Sequence, residues 1–491
     1  MQNSTVQQAY KGNDRLLYGI ILGVLAFWLF AQTTLNINVG MAKDLGMEPN
    51  MMNIAVSITS LFSGIFIVVL GGLADRIGRV KMIQIGFIFS IIGSAMVALT
   101  PSGALATPVL MTGRIFQGLS GAALMPASLA LVKAYWDGAA RQRAVSLWSI
   151  GSWGGSGFCA LFGGLVASNL GWRYIFWATV VISIIGFLMV KGTPESKGET
   201  KGDYKFDLAG VITFMLSIIG LQIFLSKGSS FGWTSGISLG LFATFAIFGF
   251  IFYKLESKNT SAFVDFKLFK NSTYTGATIS NFLLNATAGI LIVSLSLVQL
   301  GAGLTSQESG LLTLGYAIAI VSFIRVGEKL LQKFGARKPM IWGSLIVGLS
   351  IILLMQTQVM TGTYKILAVV SYTLFGLGLA FYATPSTDAA LSNLPADQAG
   401  AGAGIYKMAS SLGAALGVAV SAAIFTALSG HTGPIQWMDG LISFVGRQDN
   451  LAVRQAAMIA LGVNLLMVVL AIISIILTVP KHKNSELEQK K

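Results

Sequence analysis

The chain is written as long apolar runs separated by short polar breaks. Fourteen runs approach the ~20 residues that a helix needs to cross a hydrocarbon core. They cover about 16–40, 51–73, 82–100, 107–133, 144–168, 173–191, 207–226, 234–253, 273–300, 309–331, 339–356, 365–386, 399–428 and 452–479. An even number puts both termini on one side. The run from Leu16 is longer than the apolar part of a cleaved leader, and no small-x-small site follows it, so it is expected to remain as the first span. Three polar stretches punctuate the series: 192–206, 254–272 with four lysines, and 429–450. The expectation is an all-α integral membrane fold with an N-terminal six-helix bundle (1–191), a linker with two transmembrane helices (192–262), and a C-terminal six-helix bundle with a cytoplasmic tail (263–491).

Composition explains why the solvent must be lipid. Hydrophobic residues make up 54% of the 491 and charged residues 11%, against about 25% charged in soluble domains. The net charge of +14 does not point to nucleic acid. The cations sit in short clusters between apolar runs, where they face anionic lipid heads and set topology. Most fall on the side of Lys11 and Arg15, which places both termini in the cytoplasm. Cys159 is the one cysteine, so no intrachain disulfide or thiolate metal site can form. His431 and His482 lie outside the runs, which excludes an imidazole relay within the membrane. There is no Gly-x-x-x-x-Gly-Lys-Ser/Thr loop for ATP, no Ser/His/Asp set, no intramembrane metal cluster and no selectivity filter. An enzyme or a channel is disfavoured, and no cofactor or metal is expected.

The most specific local pattern is the short inner loop Gly71-Gly72-Leu73-Ala74-Asp75-Arg76-Ile77-Gly78-Arg79-Val80-Lys81. Gly71 and Gly78 permit close helix approach and a sharp reversal. Asp75 can pair with Arg76, Arg79 or a neighbouring helix end, forming a charge latch that holds one conformation and breaks in another. A degenerate copy, Gly327–Lys338, follows the second span of the second half, with Gln332 in place of the aspartate. Such a repeat is a common transporter plan, with the substrate site near the midplane between halves. Arg114 lies inside the fourth run, where a charge is costly unless it faces protein or water. Gln117, Gly118, Gly121 and Met125 follow on the same helical face, as in a polar cavity wall; snorkelling toward the headgroups is the alternative. Lys407 is a second cation inside a run, in a glycine-rich stretch near the inner third, and snorkelling is open to it too. Asn281 and Asn285 are either cavity groups or interhelix links.

At these residues the sequence resembles the major facilitator superfamily. The 71–81 loop is similar to the superfamily's signature between helices two and three, and Arg114-x-x-Gln117-Gly118-x-x-Gly121-Ala122 to a second motif. Fourteen spans resemble the drug/proton antiporter branch. Within it the chain is most similar to staphylococcal-type quinolone efflux pumps, on stretches such as Gly19–Gln32, Trp148–Gly157 and Lys191–Glu195. The resemblance implies proton-driven export of amphipathic drugs by alternating access in a bacterial cytoplasmic membrane. The implied partners are small drugs, protons and lipids; a monomer is expected. In the family the arginine matching Arg114 is linked to proton transfer. Gln32, Asn36, Arg114, Gln117, Tyr406 and Lys407 are the expected substrate and proton pathway, with Phe27, Trp28, Trp148 and Trp153 as stacking surfaces. Two departures stand out. Gln32, Ser57 and Lys407 occupy positions where many such antiporters carry carboxylates, and Cys159-Ala160 replaces Gly-Pro before Gly163-Gly164. No Asp or Glu is expected deep in a span. Glu48, Asp75, Asp207, Glu308 and Glu328 come nearest, and Glu308 is the leading coupling carboxylate. A cavity with cations and amides suits a zwitterion, anion or neutral amphipath better than a dication. A facilitator for a native metabolite, peptide or lipid precursor is the alternative, because one scaffold serves many substrates.

Overall fold

In the computed structural model the described residues are 10–137, 140, 143–144, 147–148, 150–197, 207–259, 262, 264–391, 394, 399–430, 434–438 and 441–481. The 198–206 part of the central loop, His431 and His482 lie outside them. All regular structure among the described residues is helical. Fourteen helices are long and apolar enough to span: α1 Asp14–Leu45, α2 Pro49–Ile77, α3 Arg79–Ala98, α4 Ala106–Tyr135, α5 Ile150–Asn169, α6 Arg173–Val190, α7 Leu208–Phe231, α8 Gly236–Glu256, α9 Ser272–Ala302, α10 Ser306–Phe334, α11 Arg337–Leu354, α12 Thr361–Leu391, α13 Gly402–Ser429 and α14 Leu451–Thr478. Each predicted run has its helix. "Inner" below means the end bearing the 71–81 loop, following the charge-based topology.

Exposure sorts the helices into layers. α6 exposes Trp177, Val181, Ile184, Ile185 and Leu188, and α11 and α14 expose similar rows of large apolar side chains. These rows form a lipid-facing perimeter. By contrast, α2, α4 and α13 expose no large apolar side chain, so they form the inner layer. Glycines set the closest contacts. A Cβ on Gly93 of α3 would lie 2.7 Å from the Gly113 carbonyl oxygen of α4. A Cβ on Gly378 of α12 would lie 2.7 Å from the Gly343 carbonyl oxygen of α11. The same glycine pairing joins the third and fourth helices of each six-helix set, as the internal repeat predicts.

A second trace of the repeat is breakage. α1 is helical over Asp14–Leu25, passes through a π turn (Ala26–Phe30) and a 3-10 turn (Ala31–Thr33), and resumes over Thr34–Leu45. α9 is interrupted at Thr287 and Ala288, between Ser272–Ala286 and Gly289–Ala302. Irregular backbone at membrane depth requires protein or water to satisfy the freed groups. Both breaks therefore mark protein interior rather than a lipid-facing surface.

The linking helices α7 and α8 pack on each other. α7 also lies against both α2 and α13. It bonds α2 at three levels: Gln222 Nε2 to Ser57 Oγ, Lys227 Nζ to Glu48 Oε2 at 2.8 Å, and Asn50 Nδ2 to Ser230 Oγ at 2.8 Å. The bond from Lys227 holds the Glu48 carboxyl below the usual carboxylate range.

Candidate transport pathway

Arg114 is fully buried, and its guanidinium points into protein, not into a cavity. Nε donates to the Ala55 carbonyl (2.9 Å). Nη1 donates to the Ala31 carbonyl and Gln117 Oε1 (both 2.7 Å). Nη2 donates to Thr34 Oγ1 (2.9 Å) and the Val56 carbonyl (3.2 Å). Gln117 in turn donates to Ser94 Oγ at 3.1 Å. The arginine thus ties α4 to α1 and α2, with α3 reached through Gln117. The Ala31 carbonyl lies in the break of α1, so the guanidinium and the irregular turn support one another. None of its acceptors is a carboxylate, and the cation stays electrically uncompensated.

Asn36, expected to line the cavity, is also fully buried. It joins the outer half of α1 to three other helices. Nδ2 donates to the Ala160 carbonyl of α5 (2.7 Å) and the Ser306 carbonyl of α10 (2.8 Å). Oδ1 accepts from Gln299 Nε2 of α9 and Ser309 Oγ of α10, both at 2.9 Å. Gly164 and Gly310 make room for this node: a Cβ on Gly164 would overlap the Ser306 carbonyl, and one on Gly310 would lie 3.0 Å from Asn36 Nδ2. The side chain is saturated, and the node closes the outer end of the seam between α1–α6 and α9–α14. Gln299 and Ser309 were not singled out in the sequence; a polar residue near the outer end of an apolar run was their only signal.

Gln32 is buried beside α2, donating to Ser60 Oγ at 3.3 Å. Tyr406 is buried in a hydroxyl chain: its OH lies 2.7 Å from Ser386 Oγ, which donates to Tyr382 OH at 2.9 Å, itself 2.7 Å from Ser280 Oγ. Asn281 donates to the Tyr406 carbonyl and to Ser410 Oγ, so it links α9 to α13. Lys407 is the exposed member of the set. α13 shows no large apolar side chain to lipid, so Lys407 is an exposed cation on a helix of the inner layer. Of the aromatics, Phe27 and Trp148 are buried, and Trp28 and Trp153 half-buried. The Trp148 indole donates to Ser128 Oγ at 2.9 Å.

Glu308 sits in the first turn of α10 at the outer mouth. Its Oε2 accepts from Thr305 N (2.8 Å) and Thr305 Oγ1 (3.1 Å), while its own N–H donates to Thr305 Oγ1 (3.2 Å). That is a capping box, and the carboxylate is occupied by it. Glu308→Gln should therefore leave pH-driven uptake into everted vesicles intact, with at most a small loss of thermal stability. Asp388 is a further carboxylate within a span, beyond the end of the 365–386 apolar run. α12 continues through Pro385 to Leu391 and so takes in Asp388 one turn from its inner end.

In the signature loop, Arg79 Nη2 pairs with Asp75 Oδ1 at 2.8 Å, and Asp75 is 46% exposed. Arg79 also reaches Ser196 Oγ at 3.2 Å. Glu195, from the far side of the first six helices, caps α3 across a long chain separation. Its Oε1 accepts from Val80 N (2.8 Å) and its Oε2 from Lys81 N (3.1 Å), an anion on a helix N-terminus. Gly78 takes φ 121°, and a Cβ there would overlap that carboxylate. In the second loop there is no aspartate; Lys333 and Lys338 instead lie over the Phe334 ring at 5.3 and 5.6 Å. Asp75→Asn should then impair transport far more than Gln332→Ala, compared as initial efflux rates at matched expression.

Fourteen spanning helices in a repeated order, broken first helices and a buried polar seam define a multi-pass membrane transporter fold. The chain matches the Major Facilitator Superfamily over residues 20–265 and 277–491, and it belongs to that superfamily. It is 44% identical over 481 residues to the "Quinolone resistance protein NorB" of Staphylococcus aureus (strain MRSA252), covering 98% of this chain and 99% of the relative. It is 45% identical over 484 residues to the protein of that name from strain bovine RF122 / ET3-1, with the same coverage. Among solved structures, an auto inhibited POT family peptide transporter aligns with TM-score 0.64 at 17% identity, covering 96% of this chain and 98% of the other. A D-xylose-proton symporter aligns with TM-score 0.62 at 16% identity, covering 95% and 97%. These two likenesses establish the fold.

Proposed function

We propose that the chain exports amphipathic, quinolone-like zwitterions across a bacterial cytoplasmic membrane in exchange for protons. Residues 1–191 and 263–491 rock against one another by alternating access, and the linking helices in 192–262 accompany them. The observation that carries this reading is the full-length likeness to quinolone resistance proteins. The charge pattern supports the substrate class. Arg114 and Lys407 are cations in the membrane interior, and among the described residues every carboxylate in a span lies within about two turns of a span end. A positive interior repels a lipophilic dication and tolerates a zwitterion or a neutral amphipath.

The test is purified protein in liposomes with an imposed pH gradient and a panel of zwitterionic, dicationic and anionic drugs. Zwitterions should accumulate against their gradient, and a protonophore should abolish that accumulation. Strong dication transport without quinolone movement would overturn the charge argument. Transport that survives the protonophore and requires ATP would overturn the proton coupling.

A further inference from the structure

Antiport needs a group that holds a proton when the drug is absent and gives it up when the drug binds. Glu308 is occupied as a cap at the outer mouth, and Arg114 is fully buried with its donors all directed to protein acceptors. We propose that Lys407 is the proton-carrying group of the cycle, its amine and a drug cation competing for the same place in the interior space. This rests on the export reading above and names the residue that couples it.

Three observations place Lys407 in that role. It is eight residues past Ala399, where its helix begins, about 12 Å from the inner end at 1.5 Å per residue, and it is exposed on a helix that shows no large apolar side chain to lipid. Its neighbours one turn away, Ala403, Ser410 and Ser411, are small or polar, so no bulky side chain on its own helix face covers the amine. Among the described residues no carboxylate pairs with it. A lysine locked in an ion pair could not exchange its proton for a drug; this one has nothing to lose but the proton.

The titratable groups on the packed elements are few. On α13 itself there is Tyr406. α9 brings Tyr274, whose OH donates to the Gly402 carbonyl. α12 brings Tyr382 and, at its inner end, Asp388, which has contacts of its own. α2 carries Asp75 and Arg76 at its inner end, well below Val68, the residue that faces Gly404. α7 brings Lys227 at its outer end and Asp207 as the N-cap of its inner end, bonded to Gly210 N, and α14 brings Arg454 at the outer end. Lys407 is thus the exchangeable cation at its level.

The step balances simply. With the cavity open inward, an ammonium-bearing drug enters, the Lys407 ammonium releases H+ to the cytoplasm, and the neutral amine accepts a hydrogen bond from the drug's N–H. After the halves rock, the drug leaves outward and the amine takes H+ from outside. One drug moves out for one proton in, and no bond other than N–H is made or broken.

The experiment uses the full chain and norfloxacin as probe. In weakly buffered detergent solution, binding to wild type should release close to one proton, and binding to Lys407→Gln none. Calorimetry in buffers of differing ionisation heat should give the large intrinsic heat of an amine, not the near-zero heat of a carboxylate. In liposomes, Lys407→Gln should equilibrate drug in counterflow while its uphill accumulation ratio falls to one. Lys407→Arg, which stays charged, should bind norfloxacin more weakly at every pH. Uphill accumulation by Lys407→Gln at the wild-type level would overturn the assignment. So would unchanged proton release in Lys407→Gln, especially if Asp388→Asn abolished it, or a carboxylate-like heat in wild type. A carboxylate-like heat in wild type would overturn the assignment even if neither variant folds. If wild type itself does not move norfloxacin under a pH gradient, the export reading fails instead, which is a separate result.

Discussion

Replacing Arg114 with alanine should abolish transport and lower the unfolding temperature in detergent by a wide margin. Five hydrogen bonds converge from this guanidinium on α1, α2 and α4. A hydrogen bond to a charged group contributes about 1.5–3 kcal/mol, so even with strong non-additivity the loss is several kcal/mol. It would be concentrated where α1 is already irregular. Truncation also strands Gln117 Oε1 in a dry interior and opens a cavity the size of the side chain. Lysine is not a rescue. Its ammonium keeps the charge but cannot address acceptors on three helices with a planar fork. Arg114→Lys should therefore recover part of the stability and little of the activity. Thermal unfolding and vesicle efflux, measured on the same preparations, separate the two. A variant with wild-type stability and no transport would show that the arginine acts on substrate or proton directly, not through the packing of α1.

The second large effect concerns the outer seal. Asn36→Ala removes four side-chain hydrogen bonds that link α1 to α5, α9 and α10. At about 0.5–1.5 kcal/mol each, the outer-closed state loses about 2–6 kcal/mol. Even the lower figure corresponds to a shift of roughly 30-fold in the conformational equilibrium. Asn36→Asp should be at least as disruptive, because a carboxylate would then face the Ala160 and Ser306 carbonyls. Spin labels at Leu170 and Leu300, both exposed at the outer ends of α5 and α9, would read the change in a Cys159→Ala background. The distance distribution should move to longer values in both Asn36 variants. An unchanged distribution would mean that the seal is held elsewhere.

The spans were legible because lipid enforces one rule on every residue that faces it, and hydropathy records that rule directly. The α1 break was not. Ala26–Thr33 contains no proline or glycine, and the irregular turn depends on Arg114 some eighty residues away. Asp388 was missed for a related reason. Pro385-Ser386-Thr387-Asp388 reads as a helix stop, yet α12 absorbs the proline and continues. The polar residues in the spans were recognised as unusual from the sequence, but their direction was not. Periodicity gave Arg114 and Gln117 a common face without saying whether that face meets a cavity or another helix; here it meets α1, α2 and α3. Asn36 was chosen as a lining group, and its place in the seal depends on Gln299 and Ser309, residues brought to it only by the fold.

The seal around Asn36 is built from amides, a hydroxyl and backbone carbonyls, with no ion pair. The Asp75–Arg79 pair at the other end is ionic and half-exposed. Added salt shortens the Debye length from about 10 Å at 0.1 M to about 3 Å at 1 M, so it weakens the ionic pair and leaves the neutral node untouched. Ionic strength therefore acts on the Asp75–Arg79 pair and, at the outer end, on the Lys227–Glu48 and Arg173–Asp44 pairs, but not on the Asn36 node between them. The node that joins the two six-helix sets is thus held by neutral groups that salt does not screen, while the loop at the opposite end is held by a pair that it does.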